Sequence, residues 1–322
     1  VSGSEELRSA VPPGRATIKE AASAKINLFL HVGDKRADGF HPLQSLAVFT
    51  DVGDLLAIEN APPGTAWIGV DGPFAKDLDG ESDNLVLRAV MALHENGAPP
   101  RGAKFILTKN LPVASGLGGG SSDAAAALRG LRTLWNLKTD DAALRDIAAA
   151  LGSDIPVCLE SVPAFMEGRG EILRTCEAMP RIPLLLVNPG VAVPTREVFA
   201  GLTQRSGVEL TLPRGRFGDT ADLLRFLDTT RNDLEASARA LQPVIGEVLT
   251  AMMALPGALL TRMSGSGATC FGIFADDDCC RRAAEILKAA MPGWWVAPTF
   301  VPETGITHEE AGQDIGPTDQ GL

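Results

Sequence analysis

Apolar and polar residues first settle into a two-residue period at positions 24–30, Ala-Lys-Ile-Asn-Leu-Phe-Leu. Side chains alternate across a strand, so Ala24, Ile26, Leu28 and Leu30 share one face while Lys25, Asn27 and Phe29 share the other. Short runs at 46–49, 55–58, 67–70 and 104–107 predict further strands, separated by Gly, Pro and Asp breakers. Over 84–96, the spacing of Leu85, Leu87, Val90, Met91 and Leu93 predicts a helix that ends near Gly97. Ala124, Ala127, Leu128, Leu131, Leu134 and Trp135 recur at helical spacing behind Ser121-Ser122-Asp123. A further helix over 141–151 stops at Gly152, a residue suited to a C-terminal cap.

Past Pro180 and Pro183 the pattern starts afresh with a strand at 184–187 and helices at 221–227, 234–241 and 244–255. A strand at 259–263 leads through Ser264-Gly265-Ser266-Gly267 to a hairpin partner at 270–274, then a helix at 279–291 and a strand at 294–300. This irregular interleaving predicts an α+β chain rather than a doubly wound sheet. Two domains are expected, at 20–180 and 181–302, which suits a chain of 322 residues. A mobile lead-in at 1–19, broken by Pro12-Pro13-Gly14, and a disordered tail at 303–322 flank them.

Composition narrows the chemistry. With 45% hydrophobic and 21% charged residues the chain can bury a sizeable core. A net charge of -11 argues against a nucleic-acid partner, because a phosphate backbone attracts basic surfaces. It leaves nucleotides open, since backbone N–H groups and one or two cations can hold phosphates within an acidic protein. The five cysteines (Cys158, Cys176, Cys270, Cys279 and Cys280) form no CxxC pair and fit a reduced compartment. Positions 1–19 hold no apolar h-region, and no run reaches the roughly 18 apolar residues that cross a bilayer. The expectation is a cytoplasmic protein without a membrane partner. The chain does not open with Met, as expected of a processed or truncated start.

The most informative stretch runs from Leu111 through Pro112-Val113-Ala114-Ser115-Gly116-Leu117-Gly118-Gly119-Gly120-Ser121-Ser122 into the alanine-rich helix. Glycines accept positive φ and carry no side chain, so successive N–H groups can converge on one anion. The helix start adds unsatisfied N–H groups and the positive end of its dipole. Together these make a phosphate cradle, with serine hydroxyls to donate to phosphate oxygens or face a magnesium ion. A plain linker before a capped helix would not run unbroken from strand to helix. No Gly-Lys-Ser/Thr follows, so this is not a Walker A loop, and the spacing fails GxGxxG.

That stretch resembles the ATP-binding motif of the GHMP kinases. Other segments resemble the branch of that family acting on 4-diphosphocytidyl-2-C-methyl-D-erythritol: 24–30 with Arg36-Ala37-Asp38-Gly39-Phe40-His41, Leu151-Gly152-Ser153-Asp154-Ile155-Pro156-Val157, and Asn188-Pro189-Gly190 with Pro194, Thr195 and Phe199. Ser264-Gly265-Ser266-Gly267-Ala268 is similar to the family's second glycine turn. The matches keep the family's order from about 24 to 300. The resemblance implies an N-terminal domain like the second domain of ribosomal protein S5, a ferredoxin-like C-terminal domain and a cleft between them. It also implies Mg²⁺-dependent transfer of the γ-phosphoryl of ATP to the 2-hydroxyl of that cytidyl diphosphate-linked methylerythritol, in the non-mevalonate isoprenoid route.

Site residues follow from the same resemblance, each beside a plainer reading. Asp154 is implied as the catalytic base, although Gly-Ser-Asp-Ile-Pro is also a good helix start. Lys25 is implied to steady the hydroxyl or the transferring phosphoryl, with Asn27 beside it, although a strand lysine is usually solvated. Phe40 and Phe199 are implied to stack on cytosine and His41 to meet the base edge; otherwise they read as two core rings and a surface histidine. The family often carries Tyr where this chain has Phe40, and the chain has no Tyr at all, so a hydroxyl contact is lost while stacking survives. Thr195 is an implied substrate contact, and Asn84 and Lys109 fall near the adenine, where a helix start and a strand end are the plainer readings. Asp276-Asp277-Asp278 reads as a helix cap and not as a metal cluster, and His308-Glu309-Glu310 lacks the second His of a zinc motif. The residues leave open another GHMP member, of homoserine or mevalonate type, and a nucleotide-binding regulator on the same scaffold.

Overall fold

A computed structural model of the chain describes residues 17–37, 39–79, 83–203, 205–208, 210–213 and 215–305. The lead-in at 1–16 and the tail at 306–322, with His308-Glu309-Glu310, lie outside these residues. Two expectations at the ends are corrected. Ile18 and Lys19 already belong to the first strand, paired with Ile58 and Ala57. Thr304 exchanges backbone hydrogen bonds with Met179, which ties 303–305 to the body.

The first sheet is built around one long strand. β1 (Ile18–Val32) runs antiparallel along one edge of β2 (Leu43–Ala61). The other edge of β2 takes β4 (Gly102–Thr108) at 55–61 and β5 (Ala164–Glu167) at 45–47. Beyond them lie β3 (Ala66–Asp71), parallel to β4, and β6 (Ile172–Thr175), antiparallel to β5. The two strands expected at 46–49 and 55–58 are thus one, 19 residues long. Gly53 keeps it continuous: a Cβ there would lie 2.5 Å from the Ala22 carbonyl oxygen, so only glycine lets β1 cross so closely.

Helices cover one face of this sheet. α1 (Leu85–Glu95), α2 (Gly119–Leu134) and the short α4 (Ile155–Glu160) pack on it, and α3 (Asp141–Leu151) packs on α1 and α4. The alanines at 124–127 are buried, which brings α2 close against β1 and β2. Ala47, Phe49, Leu56 and Ile58 meet these helices in a core with Val90, Leu128 and Trp135.

The second sheet comprises β7 (Ile182–Asn188), β8 (Ala258–Met263), β9 (Cys270–Phe274) and β10 (Trp295–Val301), antiparallel in the order β10-β7-β9-β8. Between β7 and β8 run α5 (Thr195–Ala200), α6 (Thr220–Leu227), α7 (Glu235–Leu241) and α8 (Val244–Met253), and α9 (Asp277–Ala290) joins β9 to β10. Strand, helices, strand, strand, helix, strand in that spatial order is the split βαββαβ arrangement of ferredoxin-like domains. Alternation along β7 sorts the faces: Leu185 and Val187 pack with the helices, Leu184 and Leu186 against the first sheet. Ala24, Ile26, Leu28, Leu46 and Val48 supply the other half of that inter-sheet core.

The simple alternation expected for 24–30 breaks at a bulge. Between Asn27 and Leu30 the register with β2 slips, so Leu28 and Phe29 together face a single partner position. Phe29 therefore joins Ala24, Ile26 and Leu28 in the inter-sheet core, while Leu30 turns to the cleft beside Lys25 and Asn27. Among the described residues no helix is long and apolar enough to cross a membrane. All five cysteines are free thiols. Asp276 caps α9 by accepting from the Cys279 N–H at 2.7 Å.

Candidate active site

β1, the glycine-rich loop, the start of α4 and the segments around Phe40 and α5 line one cleft of about 1430 Å³. Its floor is β1. Lys25 is only 3% exposed, and its ammonium donates to Asp154 Oδ2 at 3.0 Å and to Asn27 Oδ1 at 3.4 Å. Asp154 stands at the N-cap position of α4, yet its side chain makes no capping bond and turns to Lys25 instead. The Asp154 side chain is 40% exposed and faces the cleft. An ammonium hidden from water and a carboxylate open to an incoming hydroxyl make a polar pair with one accessible side.

Neighbours hold this pair in place. Asn27 donates to Ser45 Oγ at 2.7 Å, and Ser45 donates on to the Phe29 carbonyl at 2.6 Å, which fixes the amide beside the bulge. Arg129 of α2 donates to the carbonyls of Cys158 and Leu159 in α4 and of Ala21 in β1. One guanidinium thereby clamps the helix that presents Asp154 to the strand that presents Lys25.

The glycine-rich segment wraps over Lys25. Gly118 is the N-cap of α2 at φ 63°, and a Cβ there would lie 3.1 Å from Lys25 Cε. Gly116 has φ 78°, and a Cβ there would lie 2.4 Å from the Ser264 carbonyl oxygen. The second glycine turn is locked to the first by Ser264, which accepts from the Asn27 N–H and donates to the Gly116 carbonyl, and by Thr269 N–H on the Ser115 carbonyl. Gly119, Gly120 and Ser121 open α2 facing the cleft, and first-turn N–H groups have no carbonyl of their own helix to bond. Pro112, Val113, Ala114, Ser115 and Gly116 line the same wall. Two residues of the segment differ from the expected cradle. Leu117 is fully buried, its carbonyl taken by the Lys25 N–H, and the Ser122 hydroxyl is committed to the Ser23 carbonyl at 2.8 Å. Ser115 and Ser121 are the serines of the segment that line the cleft.

Lys109 is not a free cation at the cleft. It is 2% exposed, with its ammonium 2.5 Å from Asp54 Oδ2 and 2.8 Å from Asp123 Oδ2. Burial opposes its charge, but Asp123 and Asp54 together raise its pKa above the ordinary lysine value. Burial pushes Asp123 up to about 7 against the pull of Lys109, and its Oδ1 is buried without a protein partner. Asn84 caps α1 by accepting from the Val86 N–H at 2.9 Å while also lining the cleft.

Across the cleft lie the aromatic residues. The Phe40 ring is 51% exposed and carries the Arg169 guanidinium 4.7 Å from its centroid. His41 and Phe199 lie 5.9 Å apart between ring centroids. The Gly33 carbonyl lies 2.9 Å from His41 Nδ1, and because a carbonyl only accepts, Nδ1 carries the proton and Nε2 of the neutral ring is an acceptor. Thr195 Oγ1 meets Ser266 Oγ at 2.9 Å, joining the start of α5 to the second glycine turn. Lys35, Arg196 and Arg205 add cations to this half, and no periodicity marks them in the sequence.

The arrangement suits a polyanion on the glycine-rich side and an alcohol between it and Asp154. No group of three or more His, Cys, Asp or Glu among the described residues could hold a metal ion. The Ser115 and Ser121 hydroxyls are the groups of the segment that could face a magnesium ion held on phosphates.

Residues 84–161 match the GHMP kinases N terminal domain and residues 210–293 the GHMP kinases C terminal region. The 4-diphosphocytidyl-2-C-methyl-D-erythritol kinase of Parvibaculum lavamentivorans is 49% identical over 284 residues, covering 87% of this chain and 96% of that protein. A crystal structure of a 4-(cytidine 5'-diphospho)-2C-methyl-D-erythritol kinase superposes with a TM-score of 0.70 at 33% identity, over 88% of this chain and all of the other (100%). Homoserine kinase from Cytophaga hutchinsonii shares the fold alone, with a TM-score of 0.70 at 18% identity over 92% of this chain and 98% of the other.

Proposed function

Because the chain belongs to the GHMP kinases, within them to the 4-diphosphocytidyl-2-C-methyl-D-erythritol kinases, we propose that it transfers the γ-phosphoryl of ATP to the 2-hydroxyl of that cytidyl alcohol. The observation that carries the reading is the 3.0 Å contact of Lys25 and Asp154 in a cleft walled by the glycine-rich segment on one side and by Phe40, His41 and Phe199 on the other.

The residues divide the work. Backbone N–H groups at the start of α2 receive the phosphates, where the helix dipole favours negative charge. Asp154 accepts the proton of the attacking hydroxyl as its oxygen bonds to the γ-phosphorus. The bond from that phosphorus to the β,γ-bridging oxygen breaks, and ADP leaves. Lys25 orients the carboxylate and offsets charge on the moving phosphoryl group, in a setting shielded from water where such an interaction is strong. When bound, Mg²⁺ neutralises charge on the phosphates. Both proposed domains, 20–180 and 181–302, contribute residues to the cleft that would receive the two substrates.

The aromatic side supports the choice of acceptor. Phe40 offers an exposed ring face, and Phe199 lies beside His41. Such a set stacks a pyrimidine, and His41 Nε2 can accept from its exocyclic amine. Homoserine and mevalonate carry no ring to stack. A panel of alcohols incubated with Mg²⁺-ATP, read by product mass, tests the reading. Preferential phosphorylation of the cytidyl substrate is expected; preference for homoserine or mevalonate overturns it, and nucleotide binding without turnover on any alcohol favours a regulator.

A further inference from the structure

Asp54 lies on β2 with its side chain fully buried, away from the cleft lining. A carboxylate in such a place is costly unless every acceptor is used. Asp54 Oδ1 accepts from the N–H groups of Asn110 and Leu111 at 2.6 and 2.9 Å. Its Oδ2 accepts from Lys109 Nζ at 2.5 Å, and Lys109 donates on to Asp123 Oδ2 at 2.8 Å.

These partners stand at the two ends of one segment. Asn110 and Leu111 enter the glycine-rich turn; Asp123 lies in the second turn of the helix that leaves it. Lys109 is the link, and a Cβ on Gly119 would lie 3.0 Å from its Nζ. The ammonium therefore sits directly beneath the opening turn of α2 and ties that turn to Asp54 and Asp123. A phosphate site works only when its donors stand within hydrogen-bond range together, so the separation of the two ends sets its quality.

We propose that Asp54 is a positioning residue for the nucleotide, acting through Lys109 and the backbone of Asn110 and Leu111 to fix the span of the glycine-rich turn. The inference rests on the reading of 112–122 as the triphosphate segment. Asp54 touches neither substrate; it holds the parts that do.

The test is the affinity of the full chain for Mg²⁺-ATP by titration calorimetry, with steady-state kinetics on the cytidyl alcohol. Asp54→Asn keeps an acceptor for the backbone N–H groups but removes the charge facing Lys109. It is expected to raise the Kd and KM for ATP about tenfold, the scale of one charge-assisted hydrogen bond. The KM of the alcohol and kcat at saturating ATP should stay within about twofold. Asp54→Ala, which frees the backbone as well, should weaken the nucleotide further. An unchanged Kd in Asp54→Asn well below its melting temperature overturns the inference, even if that temperature falls, because burial alone then explains the residue. If Asp54→Asn does not fold cooperatively, Asp123→Ala, which cuts the same link at its far end, decides on the same criterion. A wild-type protein that binds no nucleotide overturns the triphosphate reading itself, and the inference with it.

Discussion

Lys25 and Asp154 form an ion pair whose two members see different solvents: the side chain of Lys25 is 4% exposed and that of Asp154 40%. The pair spans 129 positions of sequence and joins a strand to the first residue before a helix. Because the carboxylate is the accessible member, it is the one that can take a proton from a substrate.

Replacing that carboxylate should cost turnover more than binding. Asp154→Asn keeps the size of the side chain and leaves Lys25 the Asn27 amide oxygen at 3.4 Å. We expect kcat to fall by about 10²-fold or more, the usual contribution of a positioned base, with ATP affinity kept. Near-normal turnover in steady-state assays would remove Asp154 as the base.

Phe40 is proposed to act on the cytidyl substrate alone. Phe40→Ala should raise the KM of the cytidyl substrate about tenfold, the worth of one aromatic stack, and leave the KM of ATP unchanged. Phe40→Tyr should keep the wild-type value within about threefold, since the ring face is retained. Equal changes in both KM values would place Phe40 outside the base site.

Gly118 can be tested by one methyl group. At φ 63° an alanine pays about 1–2 kcal/mol in backbone strain, and its Cβ would press on Lys25 Cε at 3.1 Å. Gly118→Ala is expected to weaken ATP and lower kcat together, because the same contact displaces both the N–H donors and the lysine. Unaltered kinetics with a folded protein would count against the cradle.

His31 gives the fold a pH dependence away from the cleft. Burial lowers its pKa below 6.5, with Arg231 and Arg262 acting in the same direction and Asp233 against them. Its Nε2 accepts from the Arg231 N–H at 3.2 Å, a bond that only the unprotonated nitrogen can make. A lowered folded pKa means the contribution is complete above 6.5 and is lost as pH falls through the folded value. Melting temperature should therefore drop between pH 7 and 5, and His31→Gln should flatten that slope; equal slopes in the two proteins would refute the assignment.

Much of the site was readable because its signals are local. The glycine run announces itself by composition, and Lys25 and Asn27 are the polar positions of an alternating strand. Asp154 could be named only through the family resemblance, since its own neighbourhood taken alone favours a helix cap. What escaped depends on partners far away in sequence. Asp54 looks like a strand breaker until Lys109, 55 positions on, neutralises it inside the core. The bulge at 28–29 exists only in the register against β2, so no pattern within β1 could have moved Phe29 to the other face. β5 and β6, four residues each, are too short to show a period, and α4 and α5 complete fewer than two turns.

The most direct measurement is the fate of the cytidyl alcohol itself. Wild-type and Asp154→Asn chains would be incubated in parallel with Mg²⁺-ATP and that substrate, and the product followed by mass and phosphorus NMR. The wild type is expected to add one phosphoryl group at the 2-hydroxyl with matching ADP, and the variant to do so at a rate reduced at least about a hundredfold. Phosphorylation elsewhere on the molecule, or equal rates from the two proteins, would contradict it.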